Sequence, residues 1–489
     1  MTPRLRPYPG IRPHITALRY NVILAQWITS VQIVMRLRGH LVLSRYVFSR
    51  PTPVMGNHGL VVRSAYGNLL LILDGPKNMN GGFAMMAPVK NGSIGHRTAY
   101  VAIILFGIVS LMGDTVYEGA RGLVPDYLYY LGATALVVGL VSGLGELLGY
   151  VVRLVSGEMA DRTQAYWFFI FLGYGLIVAI PLLAFAWTWE IAVILVLLER
   201  LGKGLRAPSR DTVLSIVSKG VGPGKAFGIH ELLDQVGAVL GPLLVAIIML
   251  NSLNDYRLSF TFLLLPFLLL VVALTVTRNR IRVVAPPKED RPEEEHKALG
   301  KEFYTYTLAV VLNTVGLIPA ALILFRASSL LQPENLQWLV PVIYVIIQGV
   351  DAIVAPIAGY SYDRFGLKIM AVPFLLSIFP PLFVSAATGL EYLIVASIFF
   401  GLVLGMQEST YRAAVTKFAP IQSRGRAYGI FNTAYGVAFL VSGVSYGLLL
   451  DLKAPFVLIL LFVIVLQTLA VVVLPRTSSE ARETPEFAV

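Results

Sequence analysis

Hydrophobic residues run in long unbroken stretches along most of this chain, and the charged positions between them are few enough to act as punctuation. A helix needs about 20 predominantly apolar residues to cross a bilayer. Six intervals between successive charged residues are that long: Ala165 to Trp189, Leu258 to Thr277, Phe303 to Phe325, Ile369 to Leu390, Ala427 to Leu450 and Ala454 to Pro475. Six further apolar stretches, beginning at Thr98, Tyr127, Ile191, Phe227, Leu336 and Tyr392, carry one or more charges each. The runs are continuous, whereas a transmembrane barrel strand is about ten residues with every second one polar. The pattern predicts an all-α integral membrane protein with twelve transmembrane helices.

Composition agrees. Of 489 residues, 56% are hydrophobic and 14% charged, well below the roughly 25% charged residues of soluble domains. The absence of cysteine removes disulfides, thiolate metal sites and cysteine nucleophiles. Charge also sets orientation. Counted over alternate connections, 21 Lys and Arg fall on one side, and only Arg121, Arg257, Arg326 and Lys453 on the other. The positive-inside rule then puts both termini in the cytoplasm of a cell membrane, plasma or inner. The longest connection, RNRIRVVAPPKEDRPEEEHKALGKEF, is rich in charge and proline and reads as a solvated cytoplasmic linker.

The two sides of that linker repeat each other. Gly157, Asp161 and Arg162 match Gly359, Asp363 and Arg364 at an offset of 202, and Arg210 matches Arg412 at the same offset. Lys225, Phe227 and Gly228 match Arg426, Tyr428 and Gly429 at 201. Such duplication is a mark of transporters. It divides the chain into a six-helix bundle at 98–277, a linker at 278–301, a second bundle at 302–475 and a tail at 476–489. Residues 1–97 have no counterpart in the repeat. Residues 1–84 hold ten Lys and Arg against the single Asp74, and are read as an extension upstream of a start near Met85, with a basic tail or a targeting segment as alternatives.

The G-x-x-x-D-R motif after the second span of each half, the duplication and the central linker together resemble the major facilitator superfamily. The resemblance covers roughly residues 98–475. It implies two pseudo-symmetric bundles rocking around a midplane cavity, with Gly157, Asp161, Arg162, Gly359, Asp363 and Arg364 as cytoplasmic gating latches. The first copy continues with Thr163, Gln164 and Ala165 in place of the usual glycine and basic residues, which weakens that latch. Gly228, Gly237, Gly241 and Pro242 follow a fifth-helix spacing similar to that of proton-coupled antiporters, although the closing glycine pair is missing. The same four residues also read as a packing seam with a kink.

Charges inside spans are costly and point to function. They avoid the third and sixth helices of each half, which the resemblance places at the lipid-facing periphery. Depth along the helix, at about 1.5 Å per residue, puts Arg200 and Asp234 at comparable levels and predicts an ion pair between them. Protonation of Asp234 would release that pair, and His230 shares its helix face. Glu146 and Asp351 are further proton-coupling candidates. Asp114 and Glu118, one turn apart, read as a cluster at the outer mouth or as cavity contacts, and Asn313 and Asn432 as substrate contacts. Glu199 is expected to pair with Arg206 or Lys203, and Glu408 with Arg412.

No P-loop, H-E-x-x-H or clustered His–carboxylate set is present, so no catalytic residue, metal or cofactor is expected, and an ion gradient, of protons, is the expected drive. The reading is a monomeric secondary transporter working by alternating access, with a small molecule and the bilayer as partners and no nucleic acid. Export of an amphipathic, drug-like compound is the first expectation. Uptake of a small anion bound by Arg200 is the second, and a non-transporting receptor or scaffold is the reading of another class.

Overall fold

The computed structural model describes residues 54–56, 59–61, 96–218, 221–281, 298–420 and 423–477. The chain divides into two compact units, Met1–Met85 and Met86–Val489. In the first, β1 (Val54–Gly56) and β2 (Gly59–Val61) pair antiparallel, with Val54 opposite Val61. The rest of the basic extension, the linker from 282 to 297 and the tail beyond Thr477 lie outside the described residues.

The second unit is helical. Its first half comprises α1 (His96–Tyr130), α2 (Ala135–Thr163), α3 (Tyr166–Phe185), α4 (Trp189–Ser218), α5 (Pro223–Asn251) and α6 (Tyr256–Arg280). The second half comprises α7 (Lys301–Glu334), α8 (Leu339–Phe365), α9 (Ala371–Leu376 and Phe379–Ala386), α10 (Leu390–Phe418), α11 (Arg424–Asp451) and α12 (Phe456–Val473). Among the described residues, ten helical segments are long and apolar enough to cross a membrane, so this is a multi-pass membrane protein. One of the ten, Leu339–Ala386, is 48 residues long and turns at Gly366, whose φ of 62° suits glycine. Helix α4 is not among the ten, because Glu190, Glu199, Arg200, Lys203, Arg206, Arg210 and Asp211 all lie on it.

The first loop corrects a boundary. Helix α1 runs on to Tyr130, the chain turns at Gly132 with φ 87°, and α2 starts at Ala135 rather than Tyr127. The apolar helices α6 and α12 present Leu268, Val272, Val457, Leu461 and Val465 outward, in keeping with a peripheral, lipid-facing place. In α7 the helix breaks at 317–319, before the N-cap Pro319. Hydroxyls of α11 satisfy the carbonyls this frees: Tyr446 donates to Gly316 O at 2.6 Å and Ser442 to Leu317 O at 2.5 Å. In an apolar bilayer that compensation is what makes the break tolerable.

The halves are fastened mainly at the end opposite the linker, the far end. There α2 and α11 meet backbone to backbone: a Cβ on Gly139 would lie 2.0 Å from Gly443 O, and one on Gly143 2.5 Å from Leu440 Cα. Asp451, at the last residue of α11, accepts the N–H groups of Ala135 and Leu136, each at 2.9 Å, so a carboxylate of one half caps a helix of the other. Asn254 Nδ2 donates to Asn335 O at 2.8 Å, and Trp338 N to Asn254 Oδ1 at 3.0 Å. Toward the linker end the seam loosens: Leu154 approaches Gly429, while Cβ atoms on Gly224, Gly228 and Gly425 would meet nothing within 4 Å. Asp451→Ala is therefore expected to weaken the far-end clasp by about 1 kcal/mol, raising the population with that end open about fivefold. Spin-label distances between Trp187→Cys and Val457→Cys, both exposed, measure it in this cysteine-free chain.

Candidate functional site

Helices α1, α2 and α4 bring an alternating chain of charges into the first half. Arg121 of α1 binds Glu118 Oε1 through Nη1 at 2.9 Å and Glu146 Oε1 of α2 through Nη2 at 2.7 Å. Glu146 Oε1 also faces Arg200 Nη1 of α4 at 3.4 Å. Glu199 lies 3.7 Å from Arg200 Nε and 3.5 Å from Arg206 Nη2. Glu118, Glu199 and Arg206 are each under 5% exposed, so these three charges depend on their neighbours for compensation. Arg206 also lies over the rings of Tyr117 and Tyr174, and Lys203 over Tyr117 at 4.8 Å. Glycine makes the room, since a Cβ on Gly145 would stand 2.9 Å from Arg200 Cγ. A small cleft beside Arg121, Glu199 and Arg200 is lined mostly by apolar side chains such as Val124, Leu128 and Ala321.

Among the described residues, one hydroxyl of the second half hydrogen-bonds to this chain. Tyr344 of α8 donates to Glu118 Oε2 at 2.6 Å, joining the halves through a charge-assisted bond. Nothing in the sequence marks Tyr344, which lies within an apolar run.

The predicted Arg200–Asp234 pair is not formed. Depth gives height along a helix but not azimuth, and α4 turns Arg200 toward Gly145 and Glu146 of α2. The expected Glu199–Arg206 pairing is present. Asp234 instead faces His230 on its own helix, with Oδ2 3.9 Å from Nε2. His230 is 3% exposed, and both its ring nitrogens and Asp234 Oδ1 are buried without hydrogen-bond partners.

Asp114 and Glu118 are buried, not at a mouth. Because α1 extends from His96 to Tyr130, the pair lies midway along it. Asn313, expected to contact substrate, is engaged within the second half. Fully buried, it donates to Ser377 Oγ at 3.0 Å and Gln467 Oε1 at 2.8 Å and accepts from Gln407 and from Tyr411 at 2.6 Å. Every polar atom of its side chain is committed to holding α7, α9, α10 and α12 together. Asn432 is half-buried, with Oδ1 unpartnered. Asp351 on α8 is 1% exposed, and its Oδ1 has no partner. Arg412 stands over the Tyr150 ring rather than pairing with Glu408.

Gly237 and Gly241 form the packing seam. Cβ atoms there would lie 2.6 Å from Leu111 O and 2.5 Å from Thr115 O of α1, and Pro242 packs beside Gly122; Gly228 has open space. In the repeated motif, Asp161 accepts from Tyr166 OH at 3.0 Å, and Arg162 pairs with Glu158 at 2.5 Å. Gly157 packs near Pro208, Gly359 near Ser409, and Arg364 lies over Phe365. None of these contacts bridges the two halves. Asp363 lies at the last turn of α8.

A family model described as Major Facilitator Superfamily matches residues 103–349 and 303–488. An uncharacterized protein of Mycobacterium tuberculosis is 35% identical over 388 residues, 77% of this chain and 93% of that protein. An uncharacterized MFS-type transporter of Methanocaldococcus jannaschii is 24% identical over 359 residues, 71% and 88% of the two chains. Among solved structures, the nucleoside transporter NupG superposes with a TM-score of 0.63 at 12% identity, covering 77% of this chain and 98% of its own. A peptide transporter, POT, superposes with a TM-score of 0.59 at 15% identity, covering 79% and 99%. Those two likenesses are of fold alone. With the family model spanning both halves and the mycobacterial relative matched along most of its length, the chain belongs to the Major Facilitator Superfamily, as a transporter rather than an enzyme.

Proposed function

We propose that this transporter is a proton-coupled secondary carrier, with twelve spans in two six-helix bundles that alternate access to a central cavity. Counting α4 as a span, and α8 and α9 as two, brings the ten apolar segments to twelve. The distribution of Lys and Arg favours a cytoplasmic linker end in a plasma or inner membrane. In that orientation the arrangement described is closed outside and loosened inside, with the G-x-x-x-D-R latches disengaged.

The observation that carries proton coupling is the His230–Asp234 contact: two titratable groups on a spanning helix, facing each other, with polar atoms left unpaired. An unpaired buried polar atom is expensive, and a site that gains and loses a proton is one that keeps it. The Glu118–Arg121–Glu146–Arg200 chain, by contrast, pairs each charge with an opposite one and serves as the pivot that Tyr344 ties to the second half. Arg200 is occupied by Glu146 and Glu199, which counts against its taking an anion. The fifth-helix spacing supports export, and the substrate is a small molecule.

In liposomes loaded with a pH-reporting dye, the protein is expected to move protons against added substrate across a panel of amphipathic anions and cations. Asp234→Asn is expected to abolish that proton movement while substrate exchange persists. Unaltered proton movement in the variant would remove Asp234 from the mechanism. A wild-type protein that moves no protons with any member of the panel contradicts coupling itself.

A further inference from the structure

The internal repeat puts an arginine at matching positions of α4 and α10, Arg210 and Arg412, and their surroundings differ. Arg210 is neutralised within its own half: Nε and Nη2 each lie 3.0 Å from Asp211 Oδ1, and Nη1 donates to Ser110 at 3.3 Å. Arg412 reaches across to the first half, with its guanidinium carbon 6.0 Å from the ring centroid of Tyr150 on α2. The same ring is faced by Arg153 at 5.7 Å. Two guanidiniums, one from each half, thus share one tyrosine. Among the described residues neither has a carboxylate within 4 Å, and Arg153 Nε is buried without a partner. Arg412 is exposed, in the part of the interface that loosens toward the linker end.

Alternating access requires this end to close. Closure moves the two like charges into a drier space, where their repulsion grows as the effective dielectric falls. An anion between them replaces repulsion with charge-assisted hydrogen bonds to both halves. The wall beside it is aromatic, with Tyr435 5.9 Å from Tyr150 and Phe439 4.8 Å from Tyr435. That wall suits a ligand with a flat or apolar body behind its acidic head.

We propose that Arg153, Arg412 and Tyr150 form the binding site for a soluble organic anion, such as an aryl sulfonate or carboxylate, whose binding permits the linker end to close. The site lies in the proposed transport cavity and rests on that reading. Its test reads binding and closure, so it can fail or succeed independently of proton flux.

The experiment uses the full chain with spin labels at Ser215→Cys and Lys417→Cys, exposed positions on α4 and α10, in phosphatidylcholine nanodiscs. Naphthalenesulfonate is expected to shift the distance distribution toward shorter values in a saturable way. Arg153→Gln and Arg412→Gln are each expected to raise the half-saturating concentration about tenfold or more. Each variant also relieves the repulsion and shifts part of the population to short distances with no anion present, a readout that does not depend on the choice of anion. Unchanged distances in both variants overturn the proposal, as does an equal response to the uncharged naphthalenesulfonamide. Inorganic sulfate acting as well as the sulfonate overturns the organic character of the ligand. Closure produced only by adding phosphatidylglycerol assigns the charge to a lipid head group and overturns the soluble-anion reading.

Discussion

Gly139→Ala is expected to part α2 from α11 at the far end. The added Cβ would stand 2.0 Å from Gly443 O and 2.8 Å from its carbonyl carbon, both backbone atoms that cannot rotate away. Overpacking a close-packed contact costs about 1–3 kcal/mol, and here relief requires a whole helix to shift. The expected outcome is a thermal unfolding midpoint several degrees lower, with a longer distance between labels at Trp187→Cys and Val457→Cys. Gly443→Ala meets Gly139 O at 2.1 Å and is expected to behave alike. Gly149→Ala, on the same helix with nothing within 4 Å, is the control, expected to be neutral or to stabilise by up to about 1 kcal/mol. A stable, unshifted Gly139→Ala protein would show that the helices do not meet at that register.

The second large effect is expected from Arg121→Gln. Arg121 compensates two carboxylates, Glu118 and Glu146, and Glu118 is almost fully withdrawn from solvent. Removing one member of a buried ion pair costs about 3–5 kcal/mol because the remaining charge is left uncompensated. The partial exposure of Arg121 and Glu146, 23% and 30%, places the expected loss near the lower figure. Adding Glu118→Gln is expected to restore about 0.5–3 kcal/mol, since the pair is coupled. Additive losses in the double variant, measured by thermal unfolding in detergent, contradict the direct contact.

The residues of these two effects were legible in the sequence to different degrees. The spans were readable because bilayer burial imposes a long apolar run on any helix that crosses. The repeat was readable because Asp161 and Asp363, or Arg210 and Arg412, recur at a fixed offset. The weak point was α1, where the next apolar stretch starts at Tyr127 while the helix continues to Tyr130. That one misplaced boundary moved Asp114 and Glu118 from mid-helix to the mouth. Partners across helices were harder still. Arg200 and Asp234 have comparable heights, but the rotation of α4, fixed by glycines such as Gly145 and Gly202, decides which neighbour each arginine meets. Asn313 was conspicuous for its polarity, yet its role is to bind four helices of the second half together. Tyr344 and Asp451, which tie one half to the other, carry no pattern that a single sequence displays.

The proposed alternating access, with the halves rocking about the buried charge chain, requires one opening to be exchanged for the other. The most direct measurement takes the two labelled pairs, Trp187→Cys with Val457→Cys at the far end and Ser215→Cys with Lys417→Cys at the linker end, in separate samples of wild type and Asp451→Ala. Loss of the Asp451 cap is expected to lengthen the far-end distance and shorten the linker-end distance by matching population changes. A far end that lengthens while the linker-end distribution stays fixed contradicts alternating access in this protein.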